Sequence, residues 1–212
     1  MDKRTLQAIA AVAVALAAAL AGYALYARSE ARAQHEAIAA LVAASTVELK
    51  ETLSSGASPE KLEAAEDNLQ KLRTMNVSRQ RALADAAEHY LIAAHTVVRA
   101  SGEAARLSHE ADAARQALAT HMAVRRSDAW FGAALKLKER VEKAHFELNL
   151  ACKALDEVLG AIAEDVQALA PRVGAQALLD EPTRLAARTR AQDDARRAAA
   201  ELAQARRLVE PR

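Results

Sequence analysis

RQRALADAAEHYLIAAHTVVRASGEAARLSHEADAARQALATHMAVRRSDAWFGAALKLKERVEKAHFELNLACKALDEVLGAIAEDVQALA, residues 79–170, holds two apolar heptad runs separated by Arg125-Arg126-Ser127-Asp128. With Leu83 as an a position, the first run reads Leu83, Tyr90, Val97, Ala104, Ala111 and Leu118 at a. Its d positions are Ala86, Ala93, Ala100, Leu107, Ala114 and then His121. In the second run a is Ala134, Val141, Leu148, Leu155, Ile162 and Leu169, and d is Leu137, Ala144, Ala151, Val158 and then Asp165. A pattern sustained this long on consecutive segments specifies two coiled helices. Arginines suit the end of one helix, and Ser127 and Asp128 the start of the next. A turn that short makes the two helices antiparallel neighbours.

The turn also fixes the register, because facing residues must lie equally far from it. Leu118 then faces Leu137, Ala111 faces Ala144, Ala104 faces Ala151 and Val97 faces Val158. In the alternate layers Ala114 faces Val141, Leu107 faces Leu148, Ala100 faces Leu155 and Ala93 faces Ile162. Neither heptad phase depends on the turn, so their agreement supports it. The expected hairpin is about 60 Å long. Leu91, Ile92, Val98, Leu135, Phe146, Leu150 and Leu159 lie off its seam and call for cover by other helices or another subunit.

Outward from the hairpin, Met75-Asn76-Val77-Ser78 is an expected break, with Asn76 able to turn left-handed and Ser78 able to cap. Before it, Pro59 to about Thr74 reads as a helix burying Leu62, Ala65, Leu69 and Leu72. Ser54-Ser55-Gly56-Ala57-Ser58-Pro59 separates that helix from a longer one, with Gly56 as a stop, Ser58 as N-cap and Pro59 in the first turn. Ile38, Leu41, Val42, Ser45, Leu49 and Leu53 give the longer helix its apolar face. Beyond Pro171 and Gly174, a last helix is expected from near Pro182 to about Val209, with Leu185, Ala195, Ala199, Leu202 and Val209 on its face.

The chain begins with another signal. Thr5 to Ala27 carries no charge, and Ala8–Ala27 is entirely apolar or glycine. As a helix it spans about 35 Å, enough to cross a bilayer. Tyr23 and Tyr26 stand at the far end, where an interfacial belt would put them. The competing reading is a signal peptide cleaved after Ala27, since alanine fills 11 of those 20 positions; the length favours a retained anchor. Lys3 and Arg4 beside a signal-like segment favour a cytoplasmic N-terminus and a periplasmic domain on a bacterial inner membrane. Ala11, Ala15, Ala18 and Gly22 form a small-residue face along which two such helices could approach.

The expected architecture is therefore all-α. Residues 1–27 are a tail and transmembrane anchor, and 28–75 a juxtamembrane helix and a short second helix. Residues 79–170 are the antiparallel hairpin, and 171–212 a linker and C-terminal helix.

Little in the chain reads as chemistry. Net charge is +1, and the late arginines interleave with Asp193, Asp194 and Glu201, so nucleic acid is not an expected partner. Aromatics are 3% of residues, which argues against aromatic-lined pockets. Glu142 and His145 have the spacing of half a di-iron carboxylate site, but no second Glu-x-x-His exists. His35, His89, His95 and His109 read as solvated, His121 as the end of the seam, and Cys152 as a small half-buried core residue. No phosphate loop, nucleophile elbow or zinc helix occurs. No catalytic, metal or cofactor site is expected. Trp130 and Phe131, just past the turn, are either a partner-binding tip or the plug of the bundle end. The function expected is a structural or interaction protein of the cell envelope, with the bilayer and a protein, or a second copy, as partners. The alternative is a helical-bundle sensor or ligand-binding domain acting with a separate cytoplasmic partner.

Overall fold

A computed structural model describes residues 3–123 and 128–207, apart from the side chains of 3–14, 128 and 129. All of its regular structure is helical: α1 Lys3–Ser55, α2 Pro59–Thr74, α3 Arg81–Met122, α4 Asp128–Val173, a 3-10 turn at Ala175–Ala177, and α5 Glu181–Arg207. Helix ends follow their local chemistry. Gly56 (φ 93°) stops α1 and Gly174 (φ 88°) follows α4 in the left-handed region that glycine enters without strain. The Ser58 hydroxyl accepts the Lys61 N–H at 3.3 Å, and Pro59 opens α2.

The break before α3 forms where expected, by a different device. No non-glycine residue has positive φ among the described residues, so Asn76 is not left-handed. Its Oδ1 instead accepts the Ser78 N–H at 3.2 Å. Gln80, not Ser78, is the capping residue, and it makes no side-chain cap. Helix α1 instead holds the break in place: Gln34 Oε1 accepts the Arg79 N–H at 2.9 Å, and Gln80 Nε2 donates to the Ala31 carbonyl at 3.1 Å.

Helices α3 and α4 form the hairpin. None of their a or d residues from Leu83 to Leu169 is exposed. The hairpin is shared by two cores. The inner one joins Ile38, Val42 and Leu49 of α1 and Leu69 and Leu72 of α2 to Tyr90, Val97, Ile162 and Leu169. The outer one joins Leu107, Ala111, Leu118, Val141 and Leu148 to alanines of α5. Members of most expected register pairs share a core: Leu118 and Leu137, Ala111 and Ala144, Ala104 and Ala151, Ala114 and Val141, and Leu107 and Leu148 the outer one, whereas Leu155 belongs to the inner core and its expected partner Ala100 to neither. Val97 with Val158 and Ala93 with Ile162 share the inner core. The expected turn residues Arg125, Arg126 and Ser127 lie outside the described residues.

Off the seam, cover is partial. Leu91, Val98 and Leu159 are buried in the inner core, whereas Ile92, Leu135, Phe146 and Leu150 stay 41–51% exposed. The last helix buries a face rotated from the one expected: Ala195 is buried and Leu202 partly so, but Leu185 and Ala199 are exposed, and Ala187, Ala191, Ala198 and Ala205 are buried instead. Low side chains let α5 approach α4 so closely that Asn149 Nδ2 reaches the Ala195 carbonyl at 2.7 Å. Burial by close approach, rather than by side-chain size, chose this face. Val209 lies outside the described residues.

Among the described residues no helix is long and apolar enough to cross a membrane. Residues 3–14, the first part of the expected span, are outside those whose side chains are described.

Candidate functional site

Three features are candidates. The first is the α1 stem. Gln34, Ile38, Val42 and Leu49 are buried, yet every residue from Ala15 to Tyr26 is exposed. Leu16, Leu20, Tyr23, Leu25 and Tyr26 are 59–68% exposed, on all sides of the helix rather than one. A helix of an ordinary bundle is apolar on the side that meets its neighbours and polar elsewhere. This one is apolar all round where nothing covers it. At its lower end Arg79 donates to the Tyr23 hydroxyl at 2.9 Å, lies over that ring at 5.7 Å, and approaches Glu30 at 3.8 Å. Ala15, Ala18 and Gly22 of the expected small-residue face lie in this exposed stem; the side chain of Ala11 is outside the described residues.

The second feature is the hairpin tip, where the structure separates Trp130 from Phe131. The Trp130 indole N–H donates to the His121 carbonyl at 3.0 Å, and the His121 Nε2–H donates back to the Trp130 carbonyl at 3.0 Å. Their rings stack 5.4 Å apart. Trp130 thus plugs the end of the seam, while Phe131 is 53% exposed. Phe131, Leu135, Phe146 and Leu150 share one side of α4, an exposed apolar stripe that the off-seam residues of the sequence foreshadow.

The third feature was not legible in the sequence. Helix α5 lies against α4 but stands off α3, leaving a cleft of about 470 Å³ between α3 and α5. Its floor is α4, through His145, Leu148, Cys152 and Leu155, and the end of α1 closes one end at Leu53. Arg115 spans the gap at the other end, 3.3 Å from Glu201 and 3.5 Å from Asp112. His145 is 4% exposed, and its Nδ1 lies 2.9 Å from the Val141 carbonyl. Since a carbonyl only accepts, Nδ1 carries the proton. Among the described residues nothing hydrogen-bonds its Nε2.

Cys152 is more deeply buried than expected, and burial, with the Asp194 charge, pushes its thiol up to about 11. It is therefore an unreactive thiol at neutral pH. Glu142, paired with His145 by sequence spacing, points elsewhere and meets Lys138 at 3.7 Å.

No known family matches this chain, and no curated protein or solved structure is detectably similar to it.

Proposed function

We propose that this chain is a membrane-anchored structural or interaction protein of the bacterial cell envelope, without enzymatic activity. Residues 5–27 hold it in the inner membrane, and the helical domain stands in the periplasm where a protein partner meets it. The observation that carries the reading is the α1 stem: a charge-free helix exposed on every side that continues without a break into the bundle's inner core. Water would have to wet all of that apolar surface, at about 25 cal/mol per Å², whereas a bilayer removes the cost. Continuity of α1 makes the anchor and the bundle one lever, so the domain projects at a defined angle. The α4 stripe, with Phe131 nearest the tip, is the face offered to a partner.

Fractionation of cells expressing the full chain tests this. The protein is expected in the membrane fraction, resistant to alkaline extraction, with its original N-terminus. A soluble protein with a new N-terminus near Arg28 would overturn it. A second reading, a ligand-binding bundle that reports to a separate cytoplasmic partner, is favoured by one observation, the α3–α5 cleft with its unpartnered His145 nitrogen.

A further inference from the structure

The exposed stripe on α4 has an order that helix packing within one chain does not explain. Phe131, Leu135, Phe146 and Leu150 are spaced 4, 11 and 4 residues apart, which reads the same in both directions. Between them stands Lys138-Glu139-Arg140-Val141-Glu142-Lys143, whose lysines and glutamates mirror each other about the same point, between Arg140 and Val141. At about 100° per residue the four apolar residues fall within an arc of about 100°. They are 41–53% exposed.

A mirror order matches a second copy turned end for end, because a twofold interface sets residue i against j and j against i. With the twofold axis at that point, Phe131 meets Leu150 and Leu135 meets Phe146 of the other copy, twice each. The two edges of the stripe differ. On the α5 side Lys138 donates to the Arg206 carbonyl at 2.9 Å and meets Glu142 of its own chain at 3.7 Å, so that edge is neutral within each copy. On the other edge Glu139 is exposed and has no ion pair among the described residues. Lys143 is 76% exposed and meets Glu147 at 3.8 Å. The twofold sets each edge against its own copy. Glu139 then stands about 1.5 Å along the axis from the other copy's Lys143 and about 4.5 Å from its Glu139. The nearest charge across this edge is the opposite one. A parallel pair would instead set Glu139 level with Glu139 and Lys143 level with Lys143.

We infer that the α4 stripe is an antiparallel twofold interface between two copies of this chain. This pairing rests on the reading of the stripe as the docking face of a membrane-anchored protein. The Tyr23–Arg79 bond puts the stem at the end of the bundle remote from the hairpin tip, so the two stems leave in opposite directions. The pair joins copies standing on facing membranes, with the stem exits about 100 Å apart at the helical rise. The overlap from Phe131 to Leu150 is only about 28 Å long. So short a contact belongs toward the low end of the range of about 1,200–2,000 Å² for specific interfaces, and the pairing is reversible.

Two single-cysteine variants of the detergent-solubilised full chain, Leu135→Cys and Phe146→Cys in a Cys152→Ser background, test the register. Mixed and oxidised, they are expected to crosslink one to the other, and neither to crosslink alone. Crosslinks within each variant alone would mean a parallel pair, and a monomer at every concentration in sedimentation would mean no pair. Either result would overturn the interface and leave the membrane reading, decided separately by fractionation, standing. Glu139→Lys should weaken dimerisation severalfold, and adding Lys143→Glu to it should restore the pair. Phe146→Asp should weaken it about tenfold or more, whereas Ile92→Asp, at a comparably exposed apolar residue of α3, should leave it unchanged. Failure of the charge swap to restore pairing, or equal weakening by Phe146→Asp and Ile92→Asp, would also overturn the interface. Vesicles carrying the full chain are expected to cluster with a gap of about 100 Å in electron cryomicroscopy. Dimers in detergent without vesicle clustering would overturn the facing-membrane placement.

Discussion

Replacing Tyr90 by phenylalanine removes one oxygen from the most connected polar point of the inner core. Tyr90 is fully buried, and burial pushes its phenol above the ordinary value, so it is neutral at physiological pH. The Leu179 N–H donates to the phenol oxygen at 3.2 Å, and the Tyr90 and Thr46 hydroxyls share a 2.7 Å bond. Thr46 also lies 2.8 Å from the Ala177 carbonyl and 2.9 Å from that of Val42, which can only accept. The Thr46 proton therefore goes to a carbonyl, and Tyr90 donates to Thr46. This chain of bonds ties α1, α3 and the α4–α5 linker together.

In Tyr90→Phe, Thr46 keeps its carbonyl partners, but the Leu179 N–H is left buried without an acceptor, which costs about 1–3 kcal/mol. The lost Tyr–Thr bond adds about 1 kcal/mol. We expect a destabilisation of about 2–4 kcal/mol in guanidinium unfolding followed by far-UV circular dichroism. Thr46→Val in the same background should couple to it by at least about 0.5 kcal/mol in a double-mutant cycle. The Leu179 amide should also lose protection from hydrogen exchange. A change below about 0.5 kcal/mol, with Leu179 still protected, would refute this account of the junction.

Leu107→Ala should cost about 2–5 kcal/mol as a buried leucine truncation, and Leu148→Ala should fall at the lower end because Leu148 borders the cleft. Denaturant unfolding checks both. Cysteines at Ala114 and Val141, in a Cys152→Ser background, should form a crosslink within one chain, whereas Ala93 paired with Val141 should not. Non-reducing gels showing only dimers from the first pair would replace the hairpin with an intermolecular coil. Asp180 accepts the Thr183 N–H at 2.9 Å at the start of α5 and meets Lys50 at 2.8 Å, and these hold its carboxyl well below the usual range. A depressed folded value stabilises above the unfolded carboxyl pKa of about 4 and fades as pH falls toward the folded value. Asp180→Asn should therefore cost about 0.5–1 kcal/mol at pH 7, modest because both partners are partly exposed, and progressively less below about pH 4. Unfolding curves at pH 7 and pH 3 check the sign.

The sequence by itself determined the all-α class, the end of α1 and the start of α2, and the α3–α4 seam. Each is a local or periodic property. Gly56, Ser58 and Pro59 act through their own backbone preferences, and a heptad repeat states which side of a helix is buried. A seam between two consecutive helices joined by a short turn also has its register fixed by that turn, which is why Leu107 and Leu148 could be paired in advance. Periodicity does not say which other element covers a face. Leu91 and Leu150 read alike as off-seam apolar residues, and only the position of α1 and α2 buries the first and leaves the second in solvent. Tyr90 read as one more a residue because the partners of its hydroxyl lie 44 and 89 positions away. On α5 the expected face held at Ala195 and missed at Leu185 and Ala199, because close approach to α4 selected Ala187, Ala191 and Ala198 beside it. The cleft belongs to no segment at all. It is the gap left where α5 packs on α4 and stands off α3, so its residues carry no shared sequence pattern, and only the tertiary arrangement brings His145, Asp194 and Glu201 to one slot.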